Sequence, residues 1–133
     1  MSANYALVYP LKYEIGLDGL PLANSNRDTF ISARAGVNLF KVVGFQTIIN
    51  AQPSVVTHDV VFSLSDSAGS FSSPTVLATH TITSSDVVGA IQYTAISTDV
   101  LETPQALRIR INAGNTDATA RYTIFVFVSP IHC

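Results

Sequence analysis

Between Lys41 and Arg108 the chain has neither lysine nor arginine. Tryptophan is absent, the one cysteine is Cys133 at the very end, and only 12% of residues are charged, against about a quarter in a typical globular domain. Each shortage excludes something. A lone cysteine rules out an intramolecular disulfide and with it a disulfide-stapled secreted scaffold. A net charge of −2 with no basic stripe leaves nothing to neutralise phosphates, so nucleic acid is not an expected partner. The lack of Trp weighs against a carbohydrate platform. Tyr5, Tyr9, Tyr13, Tyr93 and Tyr122 can stack on sugars but are more often interface or core aromatics. Met1 to Tyr13 lacks a charged start followed by an apolar run, and no stretch of 18 apolar residues exists. Neither a signal peptide nor a membrane partner is therefore expected.

Catalytic chemistry is equally hard to assemble. The histidines are His58, His80 and His132, and no Gly-x-Ser-x-Gly elbow accompanies them. His58 precedes Asp59 at a strand start, where adjacent side chains face opposite ways, and His80 is read as a strand residue paired with hydroxyls. The only glutamates, Glu14 and Glu102, fall in arm or loop context. Asp59, Asp66, Asp86, Asp99 and Asp117 are scattered over turns and strand ends, where Asp bonds the backbone. No Cys-x-x-Cys, calcium loop or phosphate loop occurs. The protein is read as no enzyme, with no cofactor, no metal and no small-molecule substrate.

What the chain does have is β-branched residues: 38 of 133 are Val, Ile or Thr, which favour strands. Length allows one domain with a real core and not two. Candidate strands are Phe40–Ile49, Asp59–Leu64, Thr75–Thr83, Ile91–Ile96, Ala106–Asn112 and Ala120–Val128. Leu107, Ile109 and Ile111 alternate with Arg108 and Arg110, and Val60, Phe62 and Leu64 with Asp59, Val61 and Ser63. Asp66-Ser67-Ala68-Gly69 and the run from Ala113 to Asp117 are turn chemistry. One helical turn is predicted at Ser84–Ala90, capped by Ser85 or Asp86 and ended by Gly89. The expected fold is all-β, an antiparallel β-sandwich or jelly roll with an extended N-terminal arm. Residues 1–35 form the arm and 36–133 the sandwich domain.

The arm assignment rests on Tyr5, Leu7, Tyr9, Leu11, Tyr13 and Ile15, which alternate with other residues. Pro10 restricts such a segment to an edge strand or an unpaired stretch, and Asn24 to Asp28 is loop-like in composition. The alternative is that these residues are the first strand or two of the same domain. In the last strand Tyr122, Ile124, Val126 and Val128 share one face, while Phe125 and Phe127 occupy the other. A strand apolar on both faces is covered twice, by its own chain or by another molecule. Low charge points the same way, toward a surface that something covers. Candidate contacts with a sister subunit or a larger assembly are Tyr5, Tyr9, Tyr13, Arg27, Arg34, Phe125 and Phe127.

The run Asp59-Val60-Val61-Phe62-Ser63-Leu64-Ser65-Asp66-Ser67-Ala68-Gly69-Ser70-Phe71, the following Pro74-Thr75-Val76-Leu77, the Ser-Ser-Asp-Val-Val-Gly-Ala turn and Leu107-Arg108-Ile109-Arg110-Ile111 together resemble the small jelly-roll cement, or decoration, proteins of tailed bacteriophage capsids. The likeness covers roughly residues 40–128 and rests on strand order, turn composition and length. It implies a virion structural protein on the capsid exterior, made in the host cytoplasm. Such a protein forms a homotrimer, binds the major capsid protein and ties neighbouring capsid subunits together against the pressure of packaged DNA. Weakly charged hydroxyl faces can dock without burying unpaired ions, and three linked sites bind far better than one. The alternative function is a receptor- or carbohydrate-binding module of a phage fibre or tail.

Overall fold

The computed structural model describes residues 9–16, 25–32, 40–53, 57–96, 100–101, 105–113 and 120–130. They form nine strands: β1 Tyr9–Gly16, β2 Ser25–Ser32, β3 Phe40–Ala51, β4 His58–Leu64, β5 Thr75–Ile82, β6 Ile91–Ala95, β7 Val100–Leu101, β8 Ala106–Ala113 and β9 Arg121–Pro130. All pairings are antiparallel and fall into two sheets. One has the order β1-β9-β3-β6, with β7 also paired to β3; the other is β2-β8-β4-β5. The chain changes sheet at every connection except β4–β5 and β6–β7, so most strands pair with partners remote in sequence. The result is a β-sandwich.

The core follows from alternation. Val42, Phe45 and Ile49 of β3 and Tyr122, Ile124, Val126 and Val128 of β9 meet Val60 and Phe62 of β4, Ala78 and Ile82 of β5, and Leu107, Ile109 and Ile111 of β8. Burying each large side chain contributes about 1.5–3 kcal/mol. Phe45 and Phe62 stack between the sheets, with centroids 4.2 Å apart and planes at 20°. The expected alternation in β8 holds, with Arg108 and Arg110 only partly covered. The register of β4 shifts against β5 between Phe62 and Ser63, and both of these residues are fully buried.

The N-terminal region differs from the expected arm wherever it is described. β1 pairs β9 over its whole length, from Tyr9 opposite Val128 to Gly16 opposite Arg121. β2 pairs β8 from Ser25 opposite Ala113 to Ser32 opposite Ala106. Residues 9–16 and 25–32 are thus strands of the sandwich, one in each sheet, and both lie at an edge. Edge placement is what Pro10 requires, since proline has no N–H to donate. The loop-like run around Asn26 and Asp28 is strand because β8 offers it a ladder and Arg110 binds Asp28. The helical turn predicted at Ser84–Ala90 is not formed. The Thr83 N–H donates to Asp86 Oδ2 (2.7 Å), so Asp86 closes a tight turn instead of capping a helix. Gly89, at φ 91°, forms a second turn that leads into β6.

The Asp66 turn behaves as its composition predicts. Asp66 Oδ1 accepts from the N–H groups of Ala68 (3.0 Å) and Ser70 (2.8 Å), and Gly69 takes a positive φ of 83°.

Candidate functional site

The two outer faces of the sandwich differ in kind. On the β1-β9-β3-β6 sheet, Phe125 and Phe127 are half-buried and face outward. Their rings stack with centroids 6.1 Å apart, and Tyr93 of β6 meets Phe127 edge-on at 6.0 Å. Tyr93 lies across Gly44 of β3. A Cβ on Gly44 would fall 2.5 Å from the Tyr93 hydroxyl and 2.9 Å from Cζ, so only a residue without a side chain lets the ring lie flat here. Ile91 pairs with Ile48 one step along. Ile91 and Tyr93 remain 59% and 54% exposed, and Val87 and Val88, in the turns before β6, are more exposed still. Lys12 of β1, opposite Phe125, is exposed at the rim.

β6 is turned inside out. Its apolar residues Ile91, Tyr93 and Ala95 face solvent, while Gln92 and Thr94 face the sandwich interior. The inward polar groups are satisfied from the other sheet. His80 of β5 bridges the layers, with Nδ1 2.8 Å from Thr47 Oγ1 and Nε2 3.0 Å from Thr94 Oγ1. Gln92 Nε2 donates to the Thr81 carbonyl at 2.8 Å. The hydroxyl pairing expected of His80 is thus present. Burial pushes its imidazole below the ordinary value of 6.5, so His80 is neutral at pH 7, one ring nitrogen donating and the other accepting. His58 is also buried, with Nδ1 2.7 Å from the Tyr122 hydroxyl. Both histidines join the two layers. Among the described residues, no group of three or more His, Cys, Asp or Glu is arranged to hold a metal.

The outer face of the β2-β8-β4-β5 sheet is polar. Arg110 grips Asp28 with two hydrogen bonds of 2.8 Å, from Nε to Oδ1 and from Nη2 to Oδ2. The guanidinium holds the Asp28 carboxyl below its usual range, and Asp28 in turn raises Arg110. Thr81 Oγ1 donates to Asp59 Oδ1 at 2.8 Å. Phe30 and Val76 are the large apolar residues left open on this side.

Of the expected contact residues, the fold brings together Phe125 and Phe127. Tyr9 and Tyr13 take backbone positions opposite Val128 and Ile124, both buried in the core. Arg27 stands opposite Ile111, which places it on the core side of its sheet; its Nε is buried without a hydrogen-bond partner. Tyr5 and Arg34 lie outside the described residues. Sequence reasoning left Tyr93 as an interface or core aromatic and missed Ile91, Val87 and Val88. The available signal was the strict alternation of residues 91–95, which defines two faces without saying which is inward.

Neither a protein-family model nor a curated protein matches this chain.

Proposed function

We propose that this protein is a structural docking module, a cement or decoration protein that binds the outside of a phage head as a trimer and ties neighbouring capsid subunits together. The observation that carries the docking reading is the inverted β6. In a monomer this choice secures the inward hydrogen bonds of Gln92 and Thr94 but leaves Ile91 and Tyr93 59% and 54% exposed. A subunit whose outer face is covered gains a dry aromatic contact. In the row Phe125, Phe127, Tyr93 and Ile91, Tyr93 is seated on Gly44, and Lys12 stands opposite Phe125 at the rim.

The strand order supports the jelly-roll part of the reading. A five-stranded layer, β1-β9-β3-β6 with β7 on β3, and a four-stranded layer, β2-β8-β4-β5, exchange the chain at nearly every turn, as in the double Greek key of jelly rolls. The capsid as destination rests on the resemblance of residues 40–128 to cement proteins. The fibre-module alternative draws on the same aromatic row, because Tyr93 beside Phe127 can also stack on a sugar ring.

Light scattering on a sizing column tests the assembly reading. A mass of three chains, falling to one chain in Tyr93→Asp with an unchanged β circular-dichroism spectrum, is the expected result. A wild-type monomer that remains monodisperse at millimolar concentration removes the self-association. Saturable binding of an oligosaccharide that Tyr93→Asp abolishes favours the fibre module instead.

A further inference from the structure

On the opposite side of the sandwich, β8 presents two arginines two residues apart, and among the described residues only one is paired with a carboxylate. Both carboxylate oxygens of Asp28 are taken by Arg110. Among the described residues no carboxylate bonds Arg108, whose Nε is buried and makes no hydrogen bond. Its guanidinium carbon sits 4.7 Å above the centre of the Phe71 ring. Phe71 is carried there by the Asp66 turn, and it meets Phe30 of β2 edge-on at 5.6 Å. Phe30 pairs with Arg108 across the ladder and is 55% exposed. On Arg108's other side, Ser63 of β4 stands in register with it. Ser63 is fully buried, and its hydroxyl has no partner.

Burial first, and then the neighbouring Arg110, pull Arg108 below the ordinary arginine value, while Asp28 offsets part of this. The group still carries its charge at any physiological pH. It is a partly desolvated cation on an aromatic platform, beside an identical residue whose carboxylate is already in place.

We propose that Arg108, walled by Phe30 and Phe71, is a docking site for a carboxylate side chain on an acidic segment of a partner protein. A guanidinium offers a planar fork that fits a carboxylate through two parallel hydrogen bonds; Arg110 meets Asp28 side-on through Nε and Nη2, and Arg108, with its Nε buried, would meet a carboxylate end-on through its two Nη groups. The partner would complete a second such pair in trans. The aromatic walls keep water from competing and strengthen the attraction, and exposed Phe30 adds the apolar contact typical of an arginine-centred hot spot. A phosphate or nucleic-acid backbone fits less well, because the adjacent cation is already neutralised and leaves one charge where a dianion wants two or more. This site is independent of the aromatic face on the other sheet. The two lie on opposite sides of the molecule, so one chain has separate surfaces for two neighbours.

Nuclear magnetic resonance on 15N-labelled protein tests the site, with an acetylated, amidated tetraglutamate peptide as probe and the Arg108 Nε–H signal as readout. The expected result is a saturable shift of that signal and of the Phe30 and Phe71 amides, with none from the matching tetraglutamine peptide. Arg108→Lys keeps the charge and loses the fork. It and Arg108→Gln should raise the half-saturation concentration at least about tenfold, while Lys12→Gln on the opposite face leaves it unchanged. No saturable shift in the wild-type protein, or the same titration in both Arg108 variants, overturns the proposal. So does an equal response to inorganic phosphate at the same concentrations, which would mark a generic anion site. If the variants do not fold, the wild-type signal with the two peptides decides.

Discussion

β6 and β8 are both regular strands with strict alternation, and they use it in opposite senses. β8 puts Leu107, Ile109 and Ile111 in the core and Arg108 and Arg110 outside. β6 puts Gln92 and Thr94 inside and Ile91 and Tyr93 outside. The outer faces of the two sheets inherit that difference. One is held by a bidentate ion pair and hydroxyl bonds, and the other by aromatic contacts over Gly44. The outward apolar residues Ile91 and Tyr93 are more than half exposed, which is why the assembly reading attaches to the β6 side.

Charge on the aromatic face should have the largest effect. Phe127→Asp loses the contacts with Phe125 and Tyr93 and costs about 1–3 kcal/mol of stability. It should also remove self-association altogether, as read by light scattering and urea unfolding. The matching change on the other sheet, Thr79→Asp at an exposed position, should leave stability within about 0.5 kcal/mol and the mass unchanged. Equal loss of association from both variants would erase the distinction between the faces.

Next in size is the ion pair. Asp28→Asn should cost up to about 1 kcal/mol, because the pair is only partly covered and solvent screens it. The loss should shrink as salt rises. Urea midpoints at low and high salt would show this for Asp28→Asn and not for Phe127→Asp.

Gly44→Ala is a subtler probe. The new Cβ would collide with Tyr93, and the exposed ring would swing off its seat. The edge contact with Phe127, worth about 0.5–1.5 kcal/mol, should be lost while the composition of the face stays the same. Near-ultraviolet circular dichroism reports the ring and light scattering the assembly. Retained assembly would mean that apolar area matters and the flat shape does not.

The smallest effect at neutral pH concerns the seam between the sheets. The native His80 imidazole binds a proton less readily than the ordinary 6.5. As pH falls past 6.5 the unfolded chain takes up a proton and the native protein does not. Stability should therefore decline from about 6.5 down to the lowered native value and then level off. Asp28 acts at the other end. Its contribution is present above the ordinary 3.8 and is lost as pH falls through its still lower native value. Urea unfolding at pH 7, 6 and 5 should give a shallower slope in His80→Gln than in the wild-type protein. Identical slopes would remove His80 as the titrating group.

Much of the fold was legible in the chain. The six strands expected from Phe40 onward appear within one to two residues of their expected ends, because period-two alternation and Gly- or Asp-centred turns are local signals. The two faces of β9, the out-facing arginines of β8 and the hydroxyl partners of His80 were legible for the same reason. β2 was not. Its first half, through Asp28, has the composition of a loop, and it is strand because β8 lies beside it and Arg110 takes up Asp28. The turn at Asp86 was misjudged because a Ser-Ser-Asp run caps a helix or closes a tight turn equally well. The segment is too short to settle that before β6 docks.

The sequence by itself determined an all-β chain with few charges and a core drawn from alternate positions. Each of these depends on residue type and on spacings of a few residues. Only the tertiary structure decided which side of β6 is buried, that Gly44 seats Tyr93, that Asp28 belongs to Arg110 and not to Arg108, and that residues 9–16 and 25–32 are sandwich strands. Those outcomes depend on contacts between residues tens of positions apart. Alternation offers two equivalent faces, and only the partner across the sheet or across the core breaks the tie.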